Sequence, residues 1–341
     1  VVELNTKPLW DWVNERHAIY LRKAMLEEAE PSVLSKWSNG YLDRPSNDEF
    51  LWQAQSWPKG QLTRDLILQQ YRFCNVFREL DRVTEWIRYH IRQQYVDHPN
   101  LWLMLAIART INWPPTLQAL MDDQSSSIDE AWPVDNILFT PDRMADVMQH
   151  IADVGDKVYT GAYMIRAESN PHAPWYWWSK HQYIAKIVIG RLWEDRETWT
   201  THLRGGNHAE GVTLQSVWER FQQPRYIGWG PFMAYQVVVD MRHTRYLQNA
   251  PDINSWAALG PGSRRGLNRL AGRPVTAPLS QEKGLAEMRR IWDEQEEHRA
   301  PWVPPIELSD IQNCLCETDK YLRVQLGEGR PRAQYIQGRG Y

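Results

Sequence analysis

Six strings in this chain carry residue types that can hold an anion, move a proton or stack on a base. The first is Ile227-Gly228-Trp229-Gly230-Pro231-Phe232-Met233-Ala234, which reads as a tight glycine hairpin opening into an apolar helix. Gly228 and Gly230 permit φ > 0 and close approach to another molecule, and Pro231 suits a first helical turn. Amides pointing out of such a turn form an anion site. The second is Gly260-Pro261-Gly262-Ser263-Arg264-Arg265-Gly266, another glycine turn feeding a helix, with four arginines and no acid between Gly262 and Arg273. Guanidinium forks suit phosphate oxygens; a solvated basic face is the plainer reading. The P-loop spacing and its lysine are absent.

The third string runs from Tyr71 to Arg82. On one helix Arg78 and Arg82 would lie a turn apart and face one anion, with Glu79 and Asp81 beside them. A surface ion-pair lattice is the alternative, but Phe73, Cys74, Val76 and Phe77 are too apolar for free exposure, so the charges are expected to rim a pocket. The fourth is Cys316-Glu317-Thr318-Asp319-Lys320-Tyr321, followed by Gly327-Glu328-Gly329-Arg330-Pro331-Arg332; from Lys320 to Tyr341 there are five basic residues and one acid. That composition fits a plain tail or a phosphate clamp. The fifth is Pro174-Trp175-Tyr176-Trp177-Trp178-Ser179-Lys180-His181, whose aromatics cannot all be buried on one helix face, which leaves Trp177 or a neighbour to line a cleft with Lys180 at its mouth. The sixth is Asp240, which follows three valines. A carboxylate in an apolar run is costly unless paired, so Asp240 is either a structural partner or a base in a cleft.

The whole chain bounds these readings. It has 341 residues and a net charge of −3, so a nucleic-acid partner would have to be met by local patches. Tryptophan stands out with 19 residues; most are expected in an aromatic core, some on bases. Cys74, Cys314 and Cys316 form no CxxC pair, which fits neither a disulfide framework nor a zinc site and suits a reducing cytoplasm. No apolar run is long enough to span a membrane, and no signal-peptide pattern is present. A cytoplasmic location is expected, that of the host cell if the protein is viral.

Helical periodicity must position the six strings. Helices are predicted from Leu9 to Ala29, Thr63 to Tyr71 (Thr63 as cap), Glu79 to Gln94, His98 to Thr110, onward from Pro114, and Pro141 to Val154. Others are predicted from His181 to Trp193, Leu214 to Phe221, Phe232 to Thr244, Gln281 to Glu297 and Ser309 to Leu326. Gln124 to Ile128 reads as a surface loop, and Lys157 to Ile165 has β-type composition. The sum is an all-α protein of two packed helical lobes. The expected division is an N-terminal lobe (1–125), a connecting segment (126–170), a hairpin lobe (171–300) and a C-terminal helix with a basic tail (301–341) packing back on the cleft.

Taken together, Arg72-Phe73-Cys74-Asn75-Val76, Asp81-Arg82-Val83-Thr84, Gly228 to Gln236, Gly260 to Gly266 and Gly327 to Arg332 are similar to the thymidine-hypermodification enzymes of bacterial viruses. This is the α-glutamyl/putrescinyl-thymine pyrophosphorylase superfamily, with its amino acid:DNA transferases and the helical domain of 5-hydroxymethyluracil DNA kinases. The resemblance runs from about Trp10 to Tyr335. It implies a core shared with helix-hairpin-helix DNA glycosylases. Phe232 stands where such a hairpin can carry a lysine nucleophile, and Gly260 where the catalytic aspartate would follow. The resemblance therefore implies a DNA grip without glycosidic-bond cleavage.

What the resemblance implies instead is substitution at 5-(pyrophosphoryl-oxymethyl)uracil in double-stranded DNA, an amine from a free amino acid or polyamine replacing pyrophosphate. The leaving group asks for clustered Arg and Lys, the amine for a carboxylate base, and the base for flipping onto aromatic walls. Candidate bases are Asp240 first, then Glu79, Asp81, Glu317 and Asp319. Candidates for pyrophosphate or a donor carboxylate are Arg78, Arg82, Arg264, Arg265, Lys320, Arg330 and Arg332. Candidates for DNA contact are Gly228, Trp229, Gly230, Phe232, Gly260, Gly262, Ser263, Trp177 and Lys180. No metal or cofactor is expected, nor a membrane partner, and the chain is expected to act as a monomer. The alternatives are a kinase-related helical protein, a non-catalytic reader of modified DNA, and a true glycosylase.

Overall fold

A computed structural model describes residues 3–26, 62–125, 140–161, 165–204, 211–331 and 334. The fold is all-helical. In chain order the helices are α1 (Lys7–Leu26), α2 (Leu66–Gln70), α3 (Arg82–Ile87), α4 (Leu101–Ile111), α5 (Pro114–Ser125), α6 (Pro141–Asp153), α7 (Lys180–Gln182) and α8 (Gly190–Glu194). They continue with α9 (Arg196–Leu203), α10 (Leu214–Phe221), α11 (Pro231–Met241), α12 (Pro261–Leu270), α13 (Gln281–Asp293), α14 (Gln295–His298) and α15 (Leu308–Gln325). Wide π turns extend α3 over Arg88–Arg92 and join α7 to α8 over Tyr183–Ile189. Among the described residues the extended pairing is a single bridge, Tyr71 to Gln334. The described part of the β-like stretch from Lys157 to Ile165 is loop, because a short run with no partner strand cannot satisfy its ladder.

Two sequence predictions shift locally. Asp65, not Thr63, caps α2: its carboxylate accepts from the Ile67 and Leu68 amides, while Thr63 donates to Glu15 at 2.5 Å. The helix predicted from Glu79 to Gln94 is interrupted. A 3-10 turn at Arg78–Leu80 ends at Asp81 in extended conformation, and α3 starts afterwards. Arg78 and Arg82 are therefore not successive turns of one helix. The loop expected from Gln124 to Ile128 begins as the end of α5; its remainder lies outside the described residues.

The chain divides into two compact units: Val1–Asp81 with Asn254–Tyr341 (unit 1), and Arg82–Ile253 (unit 2). These boundaries differ from the four segments expected from composition. The reason is packing: α1 and α2 pack on α15, so the chain's two ends share one core.

Unit 1 is organised on α15, which buries Leu308, Ile311, Cys314 and Leu315. Its main partner is α12, and glycine sets that approach. A Cβ on Gly266 would stand 2.3 Å from the Leu315 carbonyl oxygen, and one on Gly262 would stand 2.2 Å from Cys316 Sγ. Glycines four apart form one helix stripe, so the turn predicted to meet phosphate through Gly262 meets α15 instead. On α1, Leu9, Trp10, Trp12 and Val13 are buried.

In unit 2, every residue of α4 is buried, and α4 packs against α11. Asn112 ends α4 in the left-handed region (φ 48), a conformation asparagine tolerates. Helix α11 is likewise buried from Met233 to Met241.

Candidate functional site

The strongest constellation lies in unit 1, where residues 72–77 run without regular secondary structure. A backbone segment of this kind must find other partners for its amides and carbonyls. Side chains of α1 and α15 supply them. Arg16 donates to the carbonyls of Cys74 (3.0 Å) and Phe73 (3.4 Å). The Cys74 amide donates to Glu317 (2.9 Å), Asn313 donates to the Asn75 carbonyl (3.1 Å), and the Arg78 amide donates to Asp310 (3.4 Å). Asn75 closes the segment on itself, its amide donating to Asp81 (2.8 Å) and its Nδ2 to the Leu80 carbonyl (2.6 Å).

One turn of α15 ties this segment to the arginine helix. Glu317 also accepts from Lys320 at 2.9 Å, and Lys320 lies 4.6 Å over the Phe73 ring. Two residues after Glu317, Asp319 accepts from Arg265 and from Arg269, each at 2.8 Å, and Arg269 continues to Glu328 at 2.5 Å. Tyr321 donates to Asp65 at 2.5 Å. Strings that the sequence offers separately thus meet in one unit.

Electrostatics separate these groups. Burial raises Asp81 to about 6, against the opposing pull of the Asn75 amide and Arg16. A carboxyl there exchanges a proton near neutral pH, as a general base must. Burial pulls Lys320 down, but the Glu317 carboxylate outweighs it and the lysine stays charged. Burial, reinforced by Glu317 and Asp81, pushes the Cys74 thiol well up, and Cys316 rises to about 11 for the same first reason. Neither thiol is a ready nucleophile. Asp310 is also raised by burial and by Glu307.

The remaining candidates of unit 1 fall into two groups. Glu79 and Arg78 are buried in the 3-10 turn. Gly260 caps α12, its amide donating to Ser263 Oγ at 3.0 Å, so the Ser263 hydroxyl serves the cap and is buried. Arg264 and Arg330 are exposed to solvent. Arg332 lies outside the described residues.

In unit 2 Gly228 takes the positive φ that the sequence allows it (φ 88), whereas Gly230 is the extended N-cap of α11 with φ −67. Only Gly228 needs the left-handed region. Trp229 is 2% exposed, donates to the Val188 carbonyl at 3.0 Å and packs on Phe221. That carbonyl lies in a π turn, where the intrahelical pattern is widened. A ring held this way is core and cannot stack on a base. Phe232 is half-exposed at the start of α11, and Arg82 is exposed at the start of α3.

Asp240 is 1% exposed, and both of its oxygens accept from Arg109: Oδ2 from Nε, and Oδ1 from Nη2 at 2.7 Å. Arg109 also donates to Asn112 (3.1 Å) and Thr84 (2.8 Å). This bidentate, enclosed geometry is that of a structural ion pair, and it removes Asp240 from the first place among candidate bases. Sequence reading missed Arg109, although a lone arginine in the apolar run Leu101–Ile111 was the signal: two apolar helices with one opposite charge each ask for pairing. It also missed Arg16 and Asp310, which no spacing links to residues 72–81.

The aromatic string forms turns rather than a helix face. Trp177 is 86% exposed, and Lys180 lies 4.3 Å over the Tyr159 ring. Among the described residues no group of His, Cys, Asp and Glu is arranged to hold a metal ion, and no helix is long and apolar enough to cross a membrane.

No curated protein and no solved structure matches this chain. A family model described as "5-hmdU DNA kinase, helical domain" matches residues 53–330, most of the chain, though neither Arg16 nor Arg332. That family is one of DNA modification. The chain belongs to the family of the 5-hmdU DNA kinase helical domain.

Proposed function

We propose that the chain is a transferase that replaces the pyrophosphate of 5-(pyrophosphoryl-oxymethyl)uracil in DNA by an amine. The observation that carries this reading is the turn of α15 whose Glu317 and Asp319 join residues 72–81 to the arginines of α12. It brings a carboxyl of near-neutral proton affinity, Asp81, into the same unit as Lys320, Arg264, Arg265 and Arg330.

The chemistry uses these groups in order. Pyrophosphate leaves with the electron pair of the C–O bond at the 5-methylene carbon, and the cations neutralise it. The amine nitrogen forms the new C–N bond with its lone pair, and its surplus proton passes to Asp81. Gly228 and the N-terminus of α11 hold the DNA backbone. The donor is a free amino acid, its carboxylate on an arginine, or a polyamine.

The family description favours a second reading, in which this helical chain holds 5-hydroxymethyluracil DNA for a kinase. Nucleoside mass spectrometry separates the two. Pyrophosphorylated DNA incubated with the protein and a panel of amines is expected to give one amine-dependent mass shift. A shift of one phosphate on hydroxymethylated DNA with ATP would replace the transferase by the kinase reading. Tight binding with no product would leave a non-catalytic reader of modified DNA.

A further inference from the structure

Residues 157–191 of unit 2 carry Lys157, Arg166, Lys180, Lys186 and Arg191 against one acid, Glu168, in a chain of net charge −3; from outside that stretch Asp142 pairs with Lys186 and Glu194 with Arg191. Glu168 is occupied locally: it accepts from the amides of Ser169 and Asn170 (2.8 Å each) and from Trp175 Nε1 (2.9 Å). Those bonds fix the turn that follows, and a capping box between Ser179 and Gln182 fixes its far end. Between these two anchors Trp177 stands 86% exposed, held edge-on by Tyr176 with ring centroids 4.8 Å apart at 80°. Trp178 is 38% exposed, with Lys186 lying 5.7 Å over its ring.

A tryptophan left in water on a pinned turn, among cations, is a surface that a partner completes. The partner's class follows from the DNA reading above, and the hairpin lies beside this loop. A Cβ on Gly228 would lie 2.9 Å from Val188 Cγ2 and 3.7 Å from Ile165 Cγ2. The hairpin is therefore seated on Ile165, next to Arg166, where the aromatic loop begins, and on the π turn that follows it. Aromatic faces with flanking cations bind unstacked bases and their phosphates.

We propose that Trp177 is a stacking platform for a nucleobase of the DNA substrate, with Lys180 and the exposed Arg166 on the adjoining phosphates. This rests on the DNA reading above, and the experiment separates the two.

The experiment is equilibrium binding of labelled duplexes containing one 5-(pyrophosphoryl-oxymethyl)uracil or one 5-hydroxymethyluracil to the full chain, from 50 to 200 mM salt. Trp177→Ala is expected to weaken binding about tenfold or more, with an unchanged salt slope, because no charge is removed. Trp177→Phe retains most of the affinity. Lys180→Gln weakens binding and lowers the salt slope by about one. The exposed ring contributes little to the fold, so Trp177→Ala melts with the wild type. If the wild type binds and Trp177→Ala binds equally well, the platform is overturned and the DNA reading stands. If the wild type itself does not bind DNA, both fall. If Trp177→Ala loses affinity for phosphatidylserine vesicles and keeps its affinity for DNA, the ring serves a membrane surface and the proposal is overturned.

Discussion

Asp240 in unit 2 and Asp81 in unit 1 are both enclosed carboxylates close to arginine, and their surroundings give them opposite characters. Arg109 meets both oxygens of Asp240, and Thr84 and Asn112 complete the guanidinium's bonds. Asp81 accepts from the Asn75 amide, and burial outweighs that bond and Arg16 to raise it to about 6. A bidentate, enclosed carboxylate such as Asp240 is committed to its partner and holds the fold in register. A partly compensated one exchanges its proton in the working pH range, at a cost in stability.

The comparison breaks most visibly at Asp240. Asp240→Ala leaves Arg109 buried and uncompensated, so it is expected to destabilise by about 3–5 kcal/mol, read as a lower midpoint in chemical denaturation. Replacing Arg109 and Asp240 together by Met and Leu should recover much of that loss. A double variant as unstable as the single one would contradict the pairing account.

Next in size is the support beneath the unit 1 cluster. Gly266→Ala drives a Cβ into the Leu315 carbonyl, a backbone atom that cannot swing away. The expected cost is about 1–3 kcal/mol, and spreading α12 from α15 should also weaken the Arg265–Asp319 contact. Gly262→Ala meets first the Cys316 sulfur, a side-chain tip, and should cost less. Denaturation of the two variants side by side checks the order.

Gly228→Ala is a smaller and more local change. The left-handed φ costs about 1–2 kcal/mol for any residue with a Cβ, and Val188 must shift as well. The variant should lose DNA affinity as well as stability, whereas Gly230→Ala, at an ordinary φ with open space around it, should change stability little.

The pH-dependent part of stability is the most informative about chemistry. Asp81 has a folded pKa of about 6, above its unfolded value of about 3.9. Between these values the folded state binds more protons at this group, so the contribution of Asp81 to stability falls as pH rises from about 4 to about 6 and is flat above, while Asp310, also raised by burial, adds a fall of the same sign. Asp81→Asn should reduce that slope by the share of Asp81 and leave the share of Asp310. An unchanged slope would place the titration on another group.

Local chemistry made most helices legible. α10 spans the predicted Leu214–Phe221, and α11 starts at the proline that suits a first turn. The break at Asp81 was not legible, because the apolar pattern continues through it and tertiary hydrogen bonds from α1 and α15 decide it. Glycine misled at Gly262, where close helix packing and a phosphate turn ask for the same residue. Trp229 misled for a similar reason: exposure, not residue type, distinguishes a core ring from a stacking ring. The meeting of Glu317 with Cys74 spans most of the chain, and no spacing rule reaches that far.

The central claim is that Asp81, and not Asp240, takes the proton. The direct measurement is the pH dependence of amine transfer onto pyrophosphorylated DNA, followed by nucleoside mass spectrometry for wild type and Asp81→Asn. The wild-type pH profile should show a rising limb near pH 6, below the further rise set by deprotonation of the donor amine itself, and Asp81→Asn should be slower by about 10²–10⁴-fold with that lower limb abolished. An Asp81→Asn profile that overlays the wild type would contradict the account.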